Sequence, residues 1–291
     1  MTLLIDIVLT GVVLGGMYAL IAMGLTLQYG VARIMNLSYG ETLIAAAFAA
    51  YWFFTGAAVN PLLAAIVILP AAFALSYLFY QLMLQPLVRR AKTRDALEVD
   101  SILATFGMLF VLQGVMLVLF GGAYFSYGFL AVPVQVLGAT MAANRLLALG
   151  LALLIGIGLY LGLTRTRLGT AIRAVAVDPV AAQLVAIDVR QAAAVSFALG
   201  GLLVAAAGVL ISMFLTFNAN IGAVFTMKAL VVVIMGGVGN LLGALAAGMI
   251  LGLTETFVAT FGDPGLTLAA TYIIFLLVLL LRPQGLFGRA G

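Results

Sequence analysis

From Leu3 to Leu27 the chain runs the length of a membrane crossing with one charged residue, Asp6, and comparable apolar runs recur almost to the C-terminal end. A helix needs about 20 such residues to cross the hydrocarbon of a bilayer. Backbone placed there must satisfy its own hydrogen bonds, so only helices or closed β-barrels span. Barrel strands alternate apolar and polar residues over about ten positions, and the Leu, Ala, Val, Ile and Gly blocks here do not alternate. The spans are therefore helical. Of the 291 residues 66% are hydrophobic and 8% charged, where soluble domains carry roughly a quarter charged residues. The expectation is an all-α polytopic membrane helix bundle, a single transmembrane domain over 1–291 with no extramembranous module. The first run lacks the flanking Lys or Arg of a leader and is too long for a cleaved one, so it reads as a retained span.

Apolar runs set against charged breaks place spans near 4–27, 42–55, 62–85, 101–120, 146–163, 192–215, 226–258 and 266–281. Basic residues cluster in three connections: Arg89, Arg90, Lys92 and Arg94; Arg165, Arg167, Arg173 and Arg190; Arg282 and Arg289. The positive-inside rule makes these segments, and the C-terminus, cytoplasmic. The connections near 56–61, 121–144 and 216–224 then lie outside. An even number of crossings must separate 164–190 from the C-terminus. The 226–258 run is too long for one span and is interrupted by Gly236-Gly237-Val238-Gly239-Asn240. It reads as two spans or as a hairpin entering from outside, which gives eight to ten spans in all.

A second interruption, Arg33-Ile34-Met35-Asn36-Leu37-Ser38-Tyr39-Gly40-Glu41, holds a corresponding place in the first half, as in weakly related repeats. Unwound backbone at membrane depth survives where protein or a water-filled cavity satisfies it, and paired interrupted helices point to a transport pathway. The expected substrate path is Asn36, Ser38, Tyr39, Gly40 and Glu41 with Gly236, Gly237, Gly239 and Asn240. Amides exposed at the half-helix starts can receive a carboxylate, with Tyr39 and aliphatic side chains as apolar walls. The competing reading makes 28–41 a cytoplasmic turn anchored by Arg33. Glu41, following Gly40, suits a helix N-terminus and a pairing with Arg33. Lys228 is expected near the outer face, its stem snorkelling, and Glu255 at a helix end close to the outer surface. Asp6, Arg145 and Asp263 read as interfacial. Small-residue pairs at helix-packing spacing, Gly11/Gly15, Gly158/Gly162, Gly239/Gly243 and Gly248/Gly252, favour a tight bundle.

The composition excludes much. There is no Cys and no His, hence no disulfide, thiolate or imidazole chemistry and no metal site of the zinc kind. No nucleophile, base and metal constellation appears, so the chain is not expected to be an enzyme. A phosphate-binding G-x-x-x-x-G-K-[ST] loop is absent, since neither Lys92 nor Lys228 follows the required glycines. Two isolated carboxylates without a histidine make a poor proton relay. The net charge of +4 reports orientation in lipid rather than a nucleic-acid partner.

The segment 164–191, TRTRLGTAIRAVAVDPVAAQLVAIDVRQ, is the longest basic connection. Ala171, Ile172, Val175 and Ala176 have helical spacing. Asp178-Pro179 starts a fresh turn, and Val180–Val185 reads as a second short helix with Pro near its first position. The pair makes a docking platform or, alternatively, an interfacial pair on lipid headgroups. With GLTLQYGVARIMNLSYGE (24–41), TRLGTAIRAVAVDPVAAQLVAIDV (166–189), KALVVVIMGGVGNLLGALAAGMILGLTE (228–255) and LRPQGLFG (281–288), the chain resembles the permease subunits of ABC importers for branched-chain amino acids, of the LivH type. The resemblance implies an ABC importer permease fold in a bacterial inner membrane. The loop 164–190 then corresponds to the coupling helix that enters a groove of a cytoplasmic ATPase, with Gly169, Arg173, Ala174, Asp178, Pro179, Ala181 and Ala182 in its motif positions. It implies as partners a second related permease, two ATPase subunits that use the ATP, and a soluble substrate-binding protein. No cofactor is expected on this chain itself. Where the family often has Gly, this chain has Ala186. Cargo alternatives are urea, short amides or a sugar, and the alternative of another class is an autonomous ion-coupled carrier or channel.

Overall fold

The structure, a computed structural model, describes residues 2–91, 93–136 and 138–288. Lys92 and Arg289 of the basic clusters lie outside the described residues. The helices are α1 (Thr2–Ala32), α2 (Tyr39–Gly56), α3 (Pro61–Phe79), continued by a π-helical turn at Tyr80–Leu84 into α4 (Gln85–Arg90), and α5 (Arg94–Phe120). Then come the strands β1 (Pro133–Val136) and β2 (Ala139–Ala142), followed by α6 (Ala143–Arg165), α7 (Arg167–Val177), α8 (Pro179–Leu184), α9 (Val189–Ser212), α10 (Gly222–Gly236), α11 (Leu241–Phe261) and α12 (Thr267–Leu281). Among the described residues seven helical stretches are long and apolar enough to cross a membrane. The shorter α2 and α10 bring the bundle into the expected eight to ten. The small antiparallel hairpin β1–β2, outside the helices, is structure that the apolar runs did not announce.

Local chemistry sets the helix starts. Asn60 accepts from the Leu62 N–H with Pro61 in the first turn, Thr93 accepts from the Ala96 N–H, and Asn240 accepts from the Gly243 N–H. Each satisfies a donor that a helix N-terminus otherwise leaves free. Helix α9 is buried along most of its length, whereas α3, α5 and α12 present Leu, Ile, Val and Phe outward.

Two of the four glycine pairs face each other. A Cβ on Gly15 would lie 2.8 Å from Met249 Cα, and one on Gly248 would lie 2.6 Å from the Ala19 nitrogen. Gly11 and Gly252 close the same seam, so α1 and α11 touch backbone to backbone, as small residues permit in membranes. Gly243 packs on Gly236, while a Cβ on Gly158, Gly162 or Gly239 would meet nothing within 4 Å.

Gly15 opposite Met249 and Ala19 opposite Gly248 make α1 and α11 antiparallel; Gly24 beside Leu203, with Gln28 bonded to Phe197, does the same for α1 and α9. One end of the bundle thus gathers the end of α1, the α4–α5 junction, the 165–190 elbow and the end of α12. Arg33, Arg89, Arg90, Arg165, Arg167, Arg173, Arg190 and Arg282 belong to this basic end. Arg145 starts α6 at the other.

The halves repeat with inverted direction. In each, a long helix (α1, α9) leads through a break to a half-helix (α2, α10) and then two long helices (α3 and α5, α11 and α12). This corrects the pairing of interruptions. The partner of residues 33–38 is 213–221, not 236–240, and 216–224 is no simple outer loop. Glycines 236–239 are loud in sequence, whereas Met213–Ile221 carries no charge and reads as an ordinary outer connection.

The Gly236–Asn240 turn instead sits at the basic end, held by the C-terminal tail. Leu286 N–H donates to the Met235 carbonyl (2.8 Å), Phe287 N–H to the Gly236 carbonyl (3.2 Å), and Asn240 Nδ2 to the Phe287 carbonyl (3.1 Å). Gly237 (φ 99°) and Gly285 (φ 81°) adopt left-handed backbone where they meet. The 226–258 run therefore becomes α10 and α11 joined at the basic end. Four helices, α9 to α12, separate elbow and tail, the even number that the charge pattern requires.

Candidate functional site

After α1 ends at Ala32, Arg33 turns the chain with left-handed backbone (φ 56°), and six residues climb back along α1 before α2 begins. Side chains of three helices hold this segment, one of them steadied by a carbonyl of a fourth. Asn36 Nδ2 donates to Gln28 Oε1 (3.2 Å), and Gln28 Nε2 donates to the Phe197 carbonyl (2.9 Å). Ser38 donates to Asn36 Oδ1 from both its N–H (3.1 Å) and its hydroxyl (2.8 Å). The Leu37 N–H donates to Thr105 Oγ1 (3.1 Å), which lies 3.0 Å from the Met35 carbonyl. The Gly40 N–H donates to Thr226 Oγ1 (2.8 Å). Gln28 of α1, oriented by the Phe197 carbonyl of α9, Thr105 of α5 and Thr226 of α10 thus replace helical bonds that the break gives up. The cytoplasmic-turn reading of 28–41 does not fit a segment so enclosed.

The depth of α2's first residue follows from Tyr39, whose hydroxyl lies 2.9 Å from the Ile21 carbonyl and 3.2 Å from that of Gly200. Gly200 stands about 17 Å along α9, near the middle of a helix about 36 Å long. Helix α10 begins at the same level, because Gly222 packs on Gly40 and on the Glu41 carboxyl group. Two half-helices therefore start near the bundle's middle, N-terminus to N-terminus and running opposite ways. Beside them, between α2, α3 and α5, a cavity of about 310 Å³ is walled by apolar side chains, with Asn36, Ser38, Thr42 and Ser76 as its polar points.

Asn36, Ser38, Tyr39, Gly40 and Glu41 are thus brought together, and Asn36 and Ser38 line the cavity. Tyr39 does not line it; it is wholly buried with its hydroxyl engaged. Gly236, Gly237, Gly239 and Asn240 stand apart, at the far end of α10 against the tail. Glu41 does not pair with Arg33, whose Nη2 lies 3.4 Å from the Ala176 carbonyl. The Glu41 carboxylate is fully buried, and neither oxygen has a hydrogen-bond partner among the described residues.

Lys228 and Glu255 also depart from expectation. Lys228 Nζ lies 2.9 Å from each Glu255 carboxylate oxygen, with side chains 14% and 6% exposed, so the lysine does not snorkel to a surface. Tyr18 donates to Glu255 Oε2 (2.6 Å), Thr271 donates to Oε1 (2.8 Å), and Lys228 donates to the Tyr18 hydroxyl (2.9 Å). This satisfied cluster ties α10 to α1, α11 and α12 in the interior. Sequence reading also missed Gln28, Thr105, Thr226 and Gly222. Isolated polar residues within apolar helices are the available signal, and they do not say which other helix they face.

At the basic end the elbow folds as two helices. Asp178 Oδ1 accepts from the Val180 (2.8 Å) and Ala181 (3.1 Å) N–H groups, and Pro179 opens α8. Ile172 and Val175 anchor α7 on Leu27, Val31 and Leu163. Gly169 packs backbone to backbone on Gly162 and Leu163, and Ala182 is buried. Both therefore support the elbow from within, and Asp178 is engaged as a cap. Arg173 and Ala181 are exposed, Ala174 is half-buried, and Val177, Val180, Leu184 and Val185 add an exposed apolar patch.

A family model described as the permease component of branched-chain amino acid transport systems matches residues 7–282. The chain belongs to this family. As a branched-chain amino acid transport permease it is similar to the high-affinity branched-chain amino acid transport system permease protein BraD of Pseudomonas aeruginosa, with 30% identity over 96% of this chain and 94% of that one. It is also similar to the corresponding LivH of Escherichia coli, with 27% identity over the same shares. Among solved structures, PsaBC from Streptococcus pneumoniae in complex with Fab shares the fold, with a TM-score of 0.53 at 13% identity over 99% of this chain and 94% of that one. Membership in a permease family and seven apolar crossing helices make this a multi-pass membrane protein.

Proposed function

We propose that the chain is the membrane-spanning permease subunit of an ATP-driven importer that moves branched-chain or related hydrophobic amino acids into the cytoplasm. The observation that carries this reading is the meeting of two half-helix N-termini near mid-depth beside an apolar cavity. Converging helix dipoles, with amides of the first turns lacking helical acceptors, favour a carboxylate, and the cavity wall suits an aliphatic side chain. The similarity to branched-chain amino acid permeases supports the same cargo class.

In this reading the chain is one transmembrane domain, 1–291, in a bacterial inner membrane, with basic end and C-terminus in the cytoplasm. It uses no cofactor and has no ATPase site. ATP is hydrolysed by two partner subunits seated on the 164–190 elbow, a second related permease completes the pathway, and a soluble binding protein delivers cargo from outside. Arg173 with Val177, Val180, Ala181 and Leu184 forms the face that enters the ATPase groove, a small apolar centre with a polar rim. Rocking of the half-helices relative to the long ones then opens the path alternately.

The test is reconstitution in liposomes. Leucine uptake is expected only with the ATPase and permease partners, binding protein and ATP, and urea is not expected to compete. Uptake by the chain alone on an ion gradient would establish a carrier instead. Arg173→Glu is expected to abolish co-purification of the ATPase while the melting temperature stays unchanged; normal co-purification would refute the docking assignment.

A further inference from the structure

We propose that the N-termini of α2 and α10 together form a carboxylate seat, occupied here by Glu41 and taken by the cargo's carboxylate when the two half-helices part. The proposal rests on the amino-acid cargo reading and adds the group that must leave for cargo to enter.

Three observations meet at this point. First, the two starts are in contact at glycines: Gly40 abuts the Gly222 carbonyl, and a Cβ on Gly222 would lie 2.5 Å from the Glu41 carboxyl carbon. Second, neither helix is capped by its own N-cap side chain, Ser38 or Ile221. In α10 the Val224 and Phe225 N–H groups donate to the Ile221 carbonyl, and the Ala223 amide faces the Glu41 carboxyl group. Third, Glu41 is fully buried and both of its oxygens lack a hydrogen-bond partner among the described residues. No described cation neutralises it, since Lys228 is taken by Glu255 and Arg33 turns to Ala176.

A buried carboxylate without a counter-ion is costly. What offsets the cost here is the positive end of two helix dipoles aimed at one place, with amides left over. Such a seat requires an anion, yet it holds Glu41 by field rather than by closed hydrogen bonds. Replacing one carboxylate by another keeps the charge of the seat constant, so a zwitterionic amino acid can displace Glu41 without leaving the dipoles uncompensated. A neutral amide or urea cannot. Glu41 thereby becomes a specificity-determining residue and the latch of the closed state.

The test removes the latch and supplies a substitute. The full-length Glu41→Ala chain, purified in mild detergent with the subunits that accompany it, is melted in sodium formate and in sodium chloride of equal ionic strength, with formamide as the neutral analogue. Formate at ten times its half-saturating concentration is expected to raise the variant's melting temperature by about 3 °C over chloride. Wild type should not shift, and formamide should not act. If the variant does not fold in chloride, expression and purification in formate should recover it. Formate doing no more than chloride in the variant, no recovery in formate, or an equal shift in wild type would each overturn the proposal. The melt involves no cargo, so a failed rescue leaves leucine uptake as a separate result, and a transporter that refuses leucine leaves a positive rescue standing.

Discussion

Ala186 shows how a single residue can be read and then quantified. Its N–H donates to the Gln183 carbonyl (3.1 Å), the Ile187 N–H donates to that of Ala182 (3.1 Å), and its φ is 60°. This is the glycine-type helix stop carried by a residue with a Cβ. Ala186→Gly is expected to raise stability by about 1 kcal/mol by relieving left-handed strain, visible as a higher melting temperature with unchanged ATPase association. The departure from glycine was legible in sequence because it falls within a motif. The ion pair was not: Lys228 and Glu255 are 27 positions apart on two helices whose packing no local pattern encodes. Breaking a buried pair leaves an uncompensated charge and costs about 3–5 kcal/mol. Lys228→Met and Glu255→Gln are therefore each expected to lower folded yield sharply, and the double variant to lose less than the sum of the two, as a double-mutant cycle of thermal melts would record.

At the scale of elements, periodicity and caps read well where signals are local. The elbow's two helices fall where Asp178-Pro179 places them, and the long apolar runs become long helices. The breaks were harder. Residues 33–38 contain Asn and Ser next to a basic residue and could be recognised, whereas 213–221, despite Thr216, Asn218 and Asn220, reads as a plain outer loop because nothing local says that the chain turns back into the bundle. The 236–240 glycines had a local reason to break a helix, but the depth of that break depends on the tail, more than forty residues on. The tail bonds to Met235 and Gly236 hold the end of α10 whose other end faces Glu41. Truncation after Arg282 removes those bonds and frees the α10–α11 turn. The expected result is a turn open to modification: since the chain has no cysteine, a lone Val238→Cys should react several-fold faster with a maleimide in the truncated protein than in the full chain.

The whole molecule is two inverted halves packed about α1 and α9, and that symmetry fixes which surfaces share a side of the membrane. The charge pattern alone argues for the side, because arginines flank the connections that end together at the elbow and tail, while 121–142 carries none. What the sequence withheld was the second half-helix, since a span count based on apolar length treats each run as crossing or not crossing, and α10 begins partway through. The inversion makes a sharp statement about sidedness. Tyr124, exposed in the connection after α5, and Leu184, exposed at the end of α8, must lie on opposite faces. With the basic end inside, Tyr124→Cys is expected to react with a membrane-impermeant maleimide in intact cells, and Leu184→Cys only after permeabilisation. The reverse pattern would turn the transporter over, and labelling of both in intact cells would break the inverted relation between the halves. Arg145→Glu, which alters charge at the opposite end only, should leave both labelling patterns unchanged, because orientation rests on the arginines gathered at the basic end and not on a single residue across from them.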